Sequence, residues 1–140
     1  MYLLDTNVVS ELRRPSCHGA VRAWRASVKT HQIAIPAVVI SELQDGAELA
    51  RKQDRLKSIE LEQWIDQVMA VYEVIPMDGW MFREWSRLMA GKSDHLLQDA
   101  MIAATARLHH LVVVTRNVKD FKPFSVEILN PFTYRTPEQG

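Results

Sequence analysis

A single cysteine, Cys17, stands among 140 residues, so no internal disulfide framework is available and a reducing compartment suits the chain. Long apolar runs are missing as well. No stretch approaches the roughly 20 residues that a membrane-spanning helix needs. The opening Met1-Tyr2-Leu3-Leu4-Asp5 offers neither the basic segment nor the extended apolar core of a secretory signal, and the expectation is a cytoplasmic protein with no membrane partner. Net charge is absent: 17 Lys and Arg balance 17 Asp and Glu. Without a global field, attraction for a polyanion must come from local patches. Glycine and proline are scarce, 5 and 6 residues, and they punctuate the chain without forming linkers. Repeats and low-complexity segments are absent. One domain over 1–135 is expected, followed by a flexible tail over 136–140. None of the histidines forms an H-x3-H pair, the helical spacing that favours zinc.

What is present is an ordinary core-forming composition, 47% hydrophobic and 24% charged, with the length of one common-sized domain. Tyr2 to Asp5 is a short apolar run ending on an acid, which suits a buried parallel strand. Thr6 to Arg14 reads as a helix stopped before Pro15, and Val21 to Lys29 as a second. Gln32 to Ile35 reads as a strand, with Pro36 in the first turn of the next helix. There Ile40, Leu43, Ala47 and Ala50 mark one apolar face. Asp54 to Tyr72 is a longer helix with Leu61, Trp64, Ile65, Val68 and Tyr72 inward. A short strand at 74–76 follows. Asp78 caps a helix to Met89, with Met81, Trp85 and Leu88 inside. Leu96 to His109 is a helix whose buried side is expected to carry Leu97, Ala100, Met101, Ala104 and Leu108. Leu111 to Thr115 is the strongest strand, and Val126 to Leu129 the last. Strands alternating with helices predict a three-layer α/β/α domain around a short, mainly parallel sheet. Ligands of such sheets bind beyond the carboxyl ends of the strands.

Most acids, such as Glu48, Glu60, Glu62, Asp66 and Glu84, fall on polar helix faces and read as solvated. Four differ. Asp5 closes the first strand; as an isolated residue it also suits a helix N-cap, a role open to Thr6. Glu42 sits at the edge of an apolar stripe soon after the second strand, where a boundary ion pair would serve as well. Asp99 lies early in a helix of Leu, Ala, Met and Ile, where the helix dipole alone would favour it. Asp120 follows the best strand within RNVKDF, as a turn residue or as part of a site. Three of these positions are predicted at one rim, and Glu42 can reach it. Two carboxylates about 5 Å apart repel by roughly 3 kcal/mol at an effective dielectric of about 20. Such a cluster therefore either takes up protons or binds a cation. Oxygen donors without a His or Cys set select Mg²⁺ or Mn²⁺. His95, one turn before Asp99, reads as a surface residue.

The segments LLDTNVVSEL, IPAVVISELQDG, LLQDAMIAATA and VVVTRNVKDF occur in an order that resembles PIN-domain proteins. More narrowly they resemble VapC-type ribonuclease toxins of type II toxin–antitoxin systems, close to the Fit and plasmid-stability branch. The likeness spans Met1 to about Pro131, and the motifs are specific in combination rather than singly. It implies metal-site and catalytic acids at Asp5, Glu42 and Asp99. Many relatives place an acid where this chain has Asn117, so the fourth carboxylate is assigned to Asp120. Thr6, Asn7 and Thr115 match polar residues that line the site, against capping and strand-end packing as their plainer roles. The implied activity is metal-dependent endoribonuclease hydrolysis with one or two Mg²⁺ or Mn²⁺ ions, leaving a 5′-phosphate and a 3′-hydroxyl. Candidate RNA-guiding cations are Arg13, Arg14, Arg116, Lys119 and Lys122. Trp24, Trp64, Trp80 and Trp85 suit core packing better than base stacking. The implied partners are a small DNA-binding antitoxin, whose basic segment would cover the acidic rim, and a second copy of the chain, with larger toxin–antitoxin assemblies built from these. The helices between Asp54 and Met89 are the expected dimer face. Two other classes stay open at this stage: a non-catalytic binding module, favoured by Asn117, and a phosphatase-type enzyme using Asp5. Against the latter, the chain reads Asp5-Thr6-Asn7 and lacks a D-x-D pair.

Overall fold

The structure, a computed structural model, describes residues 1–137. Five short strands form one sheet: β1 (Tyr2–Leu4), β2 (Ile33–Pro36), β3 (Glu73–Ile75), β4 (Val112–Val114) and β5 (Ile128–Leu129). Every pairing is parallel, in the order β3-β2-β1-β4-β5. The helices around it are α1 (Thr6–Arg13), α2 (Gly19–Ser27), α3 (Ala37–Arg51), α4 (Arg55–Val71), α5 (Gly79–Met89), α6 (Leu97–His109) and α7 (Val118–Phe121). This is the expected three-layer α/β/α domain.

Because helices cover both faces of the sheet, its strands need apolar side chains on both sides. Leu3, Leu4, Ile33, Ala34, Ile35, Val113 and Val114 are all buried. Trp24 on α2 fills the space beside β1 and meets Tyr2 edge-on, ring centroids 5.5 Å apart. Phe121 and Phe124 close the core beneath β4.

The strand order fixes where a ligand can sit. From β1 the chain steps to β2 and β3 on one side, then crosses to β4 and β5 on the other. A crevice opens at such a reversal, outside the carboxyl ends of the two strands that flank it. Those strands are β1 and β4, paired from Tyr2↔Val112 to Leu4↔Val114. Asp5 and Thr115 are the next residue of each.

Several sequence expectations shift. Pro36 ends β2 and stands at the N-cap of α3, one position earlier than its expected place in the helical turn. Leu97 and Leu108, expected inside, are 38% and 40% exposed. The helix α6 is buried through Ala100, Ile102, Ala103, Ala104, Thr105 and Ala106, so its middle is enclosed on nearly all sides while its ends project past their neighbours. Glu84, expected to be solvated, is largely covered and lies between Arg87 (3.5 Å) and Arg107 (3.4 Å). Trp80 is 70% exposed, unlike the buried Trp24. The tail expected over 136–140 falls, at 138–140, outside the described residues.

Candidate active site

Asp5 follows β1 still paired to β4: its N–H donates to the Val114 carbonyl (3.0 Å). The chain then turns into α1, with Asp5 as N-cap and its Oδ1 accepting from the Thr6 N–H (2.7 Å). The other carboxylate oxygen, Oδ2, accepts from the Thr115 hydroxyl (2.7 Å) and from Asn7 Nδ2 (3.0 Å). The capping and the functional readings of Asp5 therefore describe one geometry, since the cap uses one oxygen and leaves the other aimed at β4. Thr115 is fully buried. Its N–H donates to the Leu129 carbonyl (3.0 Å), and its Oγ1 accepts from the Asn117 N–H (2.9 Å). Asn7 joins the two sides of the crevice: its Oδ1 accepts from the Arg116 N–H (3.1 Å) while its Nδ2 serves Asp5. Asn7 is a strut across the crevice as well as a residue of the first helical turn.

Glu42 enters from α3, which begins directly after β2. Asp99 enters from the first turn of α6, a helix that runs back against the strands and ends where β4 begins. Asp120 comes from α7, a helical turn where the sequence suggested a plain turn. These four residues share one electrostatic environment. Burial pushes the Asp99 carboxyl up to about 7, and the charges of Asp5, Asp120 and Glu42 push it the same way. Burial also raises Asp5, with Asp120 adding to it; the Thr115, Thr6 and Asn7 donors act in the opposite direction. Glu42 is raised by burial and by the Asp5 and Asp45 charges, against the influence of Thr6. Asp120 thus acts on both Asp5 and Asp99. Asn117 instead contributes its backbone N–H to Thr115, and it sits exposed.

No cation offsets this cluster. Among the described residues, none of the four carboxylates pairs with Lys, Arg or His. Nor do any three acidic, imidazole or thiol groups there stand close enough to enclose an ion as they are. An ion that keeps several of its own waters, as Mg²⁺ does, needs only one or two protein carboxylates. A second observation points the same way. Thr6 leans toward Glu42 closely enough to favour its charged form, yet the buried Thr6 Oγ1 completes no hydrogen bond of normal geometry. An unsatisfied buried hydroxyl beside an acidic cluster is a natural partner for a ligand or its water. The donor set is all oxygen, which fits a hard divalent cation.

The chain matches the PIN domain over residues 2–124. It belongs to the PIN-domain family. Among curated relatives, the FitB toxin of Neisseria gonorrhoeae is 32% identical over 138 residues, covering 94% of this chain and 99% of that one. A crystal structure of FitAcB from the same organism has a TM-score of 0.84 at 30% identity, with 95% and 99% of the two chains covered. A VapC ribonuclease of Sinorhizobium fredii is 32% identical over 143 residues, covering 94% and 98%. A toxin–antitoxin complex from Klebsiella pneumoniae has a TM-score of 0.70 at 26% identity, covering 94% and 98%.

The expected basic residues divide. Arg13 and Arg14 lie at the far end of α1, roughly 12 Å from Asp5 at 1.5 Å per residue. Arg13 stacks on Trp64 (5.4 Å) and approaches Glu60 (3.6 Å), while Arg14 pairs with Glu11 (3.3 Å). Neither joins the carboxylates. Arg116, Lys119 and Lys122 follow β4 beyond Thr115, and all three are exposed. His95 is exposed and bonded to Ser93 (2.8 Å), away from any ligand role. Sequence reading missed Phe132, which lies under the Arg116 guanidinium at 4.7 Å from its ring centroid. Only the Asn130-Pro131 turn before it hinted at a fixed position. No helix among the described residues is long and apolar enough to cross a membrane.

Proposed function

We propose that this chain is a metal-dependent endoribonuclease acting in the cytoplasm as the toxin of a toxin–antitoxin pair. The observation that carries the reading is the electrostatic influence of Asp5, Glu42 and Asp120 on Asp99, with no Lys, Arg or His paired to any of the four among the described residues. The FitB toxin and VapC ribonuclease relatives support the activity class, and the toxin–antitoxin complex of the same fold supports the partner.

Asp5 and Asp99 would hold the ion, with Glu42 and Asp120 completing the negative field. A bound Mg²⁺ or Mn²⁺ supplies a Lewis acid for the phosphoryl oxygens and a water of lowered pKa. The chain's own residues do the rest. Thr115, Asn7 and the Thr6 amide hold the Asp5 carboxylate in one orientation, so its geometry is set before substrate arrives. Glu42 accepts a hydrogen bond from the attacking water at a carboxylate oxygen and aims it at phosphorus. The new bond joins water oxygen to phosphorus, the bond to the ribose O3′ breaks, and the proton ends on that oxygen, leaving a 3′-hydroxyl and a 5′-phosphate.

The antitoxin partner is expected to bring a basic group to the uncompensated rim, where a guanidinium can pair with carboxylates in bidentate fashion. A second copy is expected to cover the exposed apolar residues Leu56, Ile59, Met69 and Val71 of α4 and Trp80 and Phe82 of α5. Solution mass of the purified chain checks that expectation.

The functional test is induced expression of the wild type beside Asp5→Asn and Asp99→Asn. Growth arrest with RNA fragmentation in the wild type alone is the expected result. Equal toxicity in all three, or release of phosphate from a small phosphomonoester in place of RNA cleavage, would overturn the reading.

A further inference from the structure

An acidic site that cuts a polyanion has an electrostatic problem: four carboxylates repel the phosphates flanking the one they act on. A chain with zero net charge gives no general attraction to offset this, so a local cation has to do it. Arg116 is placed for that purpose. It follows Thr115, whose hydroxyl holds Asp5, and its N–H is tied to Asn7, which also holds Asp5. Despite this proximity its guanidinium pairs with none of the carboxylates. Among the described residues it makes no side-chain hydrogen bond or ion pair, and it lies over the Phe132 ring at 4.7 Å.

Both halves of that stack are anchored. Phe132 follows the buried Pro131, and its N–H donates to Asn130 Oδ1 (3.0 Å). The edge of the ring meets His18 of the loop before α2, with centroids 5.4 Å apart. An arginine parked on an aromatic ring keeps its charge and its edge donors free, with less side-chain freedom to lose on binding. Arg83 lies likewise over Trp80 (5.7 Å), but on α5 and not after β4, whereas Arg25 bonds the Val28 carbonyl and Thr30, Arg51 pairs with Glu48, and Arg107 bonds the Phe124 and Ser125 carbonyls.

We propose that the Arg116 guanidinium, held on Phe132 and carried by a backbone tied to Asn7 at the Asp5 site, docks an RNA phosphate adjacent to the one that is cut. This rests on the ribonuclease reading above and adds a residue to it. The planar fork of arginine matches two phosphate oxygens, and the neighbouring acids make a cation at this point matter more to a polyanion than elsewhere on the surface. A basic antitoxin group pairs with the carboxylates and not with Arg116, so the natural ligand of the free guanidinium is an anionic group such as an RNA phosphate.

The test uses the full chain in EDTA, where cleavage is suppressed, and a fluorescein-labelled single-stranded RNA followed by anisotropy over a salt series. Arg116→Ala is expected to weaken binding about 5–10-fold and to reduce the slope of log affinity against log salt by about 1. Arg116→Lys, which keeps the charge but loses the fork, restores the slope and only part of the affinity. Phe132→Leu weakens binding with the slope intact, because the charge remains but is no longer held. Lys29→Ala, exposed at the opposite end of the strands, sets the background for loss of one surface charge. In the presence of Mg²⁺, Arg116→Ala raises KM while kcat stays near wild type. If Arg116→Ala binds RNA no more weakly than Lys29→Ala while the wild type cuts RNA, the docking role is wrong and the ribonuclease reading stands. If the wild type neither binds nor cuts RNA, both fall.

Discussion

Asp99 carries the most perturbed charge of the site, and its behaviour follows from sign alone. In the folded chain it holds its proton up to about 7; the ordinary value is 3.8. Between those limits the folded state binds more protons than the unfolded one. Stability of the metal-free protein is therefore fully present below the lower value and falls as pH rises through the window. Asp5 and Glu42, raised in the same direction, add to the fall. Asp99→Asn removes the largest part of it. We expect that variant to be more stable than wild type by about 1–2 kcal/mol at pH 8 once solvent screening is allowed for, with the difference vanishing near pH 4. Thermal unfolding in EDTA across that range checks this, and a wild type whose stability rises from pH 4 to 8 would contradict it. Asp5 was legible in the sequence because a strand ending on an acid at the head of a helix leaves few other placements. The choice between Asn117 and Asp120 was not. It depends on how a four-residue helical turn aims its side chains, and four residues carry no periodicity to read.

At the level of elements, the helices that deliver the acids are positioned by small residues. Ala100, Ala103, Ala104 and Ala106 are buried on α6, letting the helix approach its neighbours closely and hold Asp99 at the rim. Ala103→Leu forces extra volume into that contact and is expected to cost about 1–3 kcal/mol of stability. It should also lower RNA cleavage more than the lost stability explains, because a shifted α6 moves Asp99 away from Asp5. Urea unfolding and cleavage measured on the same preparation test this. Activity fully retained at a temperature where the variant stays folded would argue against α6 as the positioning element. The sequence pattern misjudged this helix for a physical reason. A helix enclosed on nearly all sides has no apolar stripe, so picking one face at helical spacing placed Leu97 and Leu108 inside when they are its projecting ends. The strands were easier to see, since residues buried on both sides of a parallel sheet form the unbroken apolar runs at Leu3-Leu4 and Val112–Val114. Their boundaries moved by a residue or two, as at Pro36. The stack of Arg116 on Phe132 lay beyond sequence reading altogether, because it joins residues brought together only when β5 pairs with β4.

For the whole molecule, the strand order places Asp5 and Thr115 together at the ends of β1 and β4, and three further acids act electrostatically on this end with no cationic partner among the described residues. Four acids at one rim are a standing cost to folding unless something positive completes them. The central claim is that a divalent cation does so in order to cut RNA. RNA cleavage by the purified chain, stripped of metal and then supplied with Mg²⁺ or Mn²⁺, measures this most directly. Cleavage is predicted only after metal is restored, with 5′-phosphate ends, and is predicted to fall by at least about a hundredfold in Asp5→Asn and in Asp99→Asn, the upper range for losing even an outer partner of a metal site. Undiminished cleavage in EDTA, or cleavage by the two variants equal to that of the wild type, would contradict it.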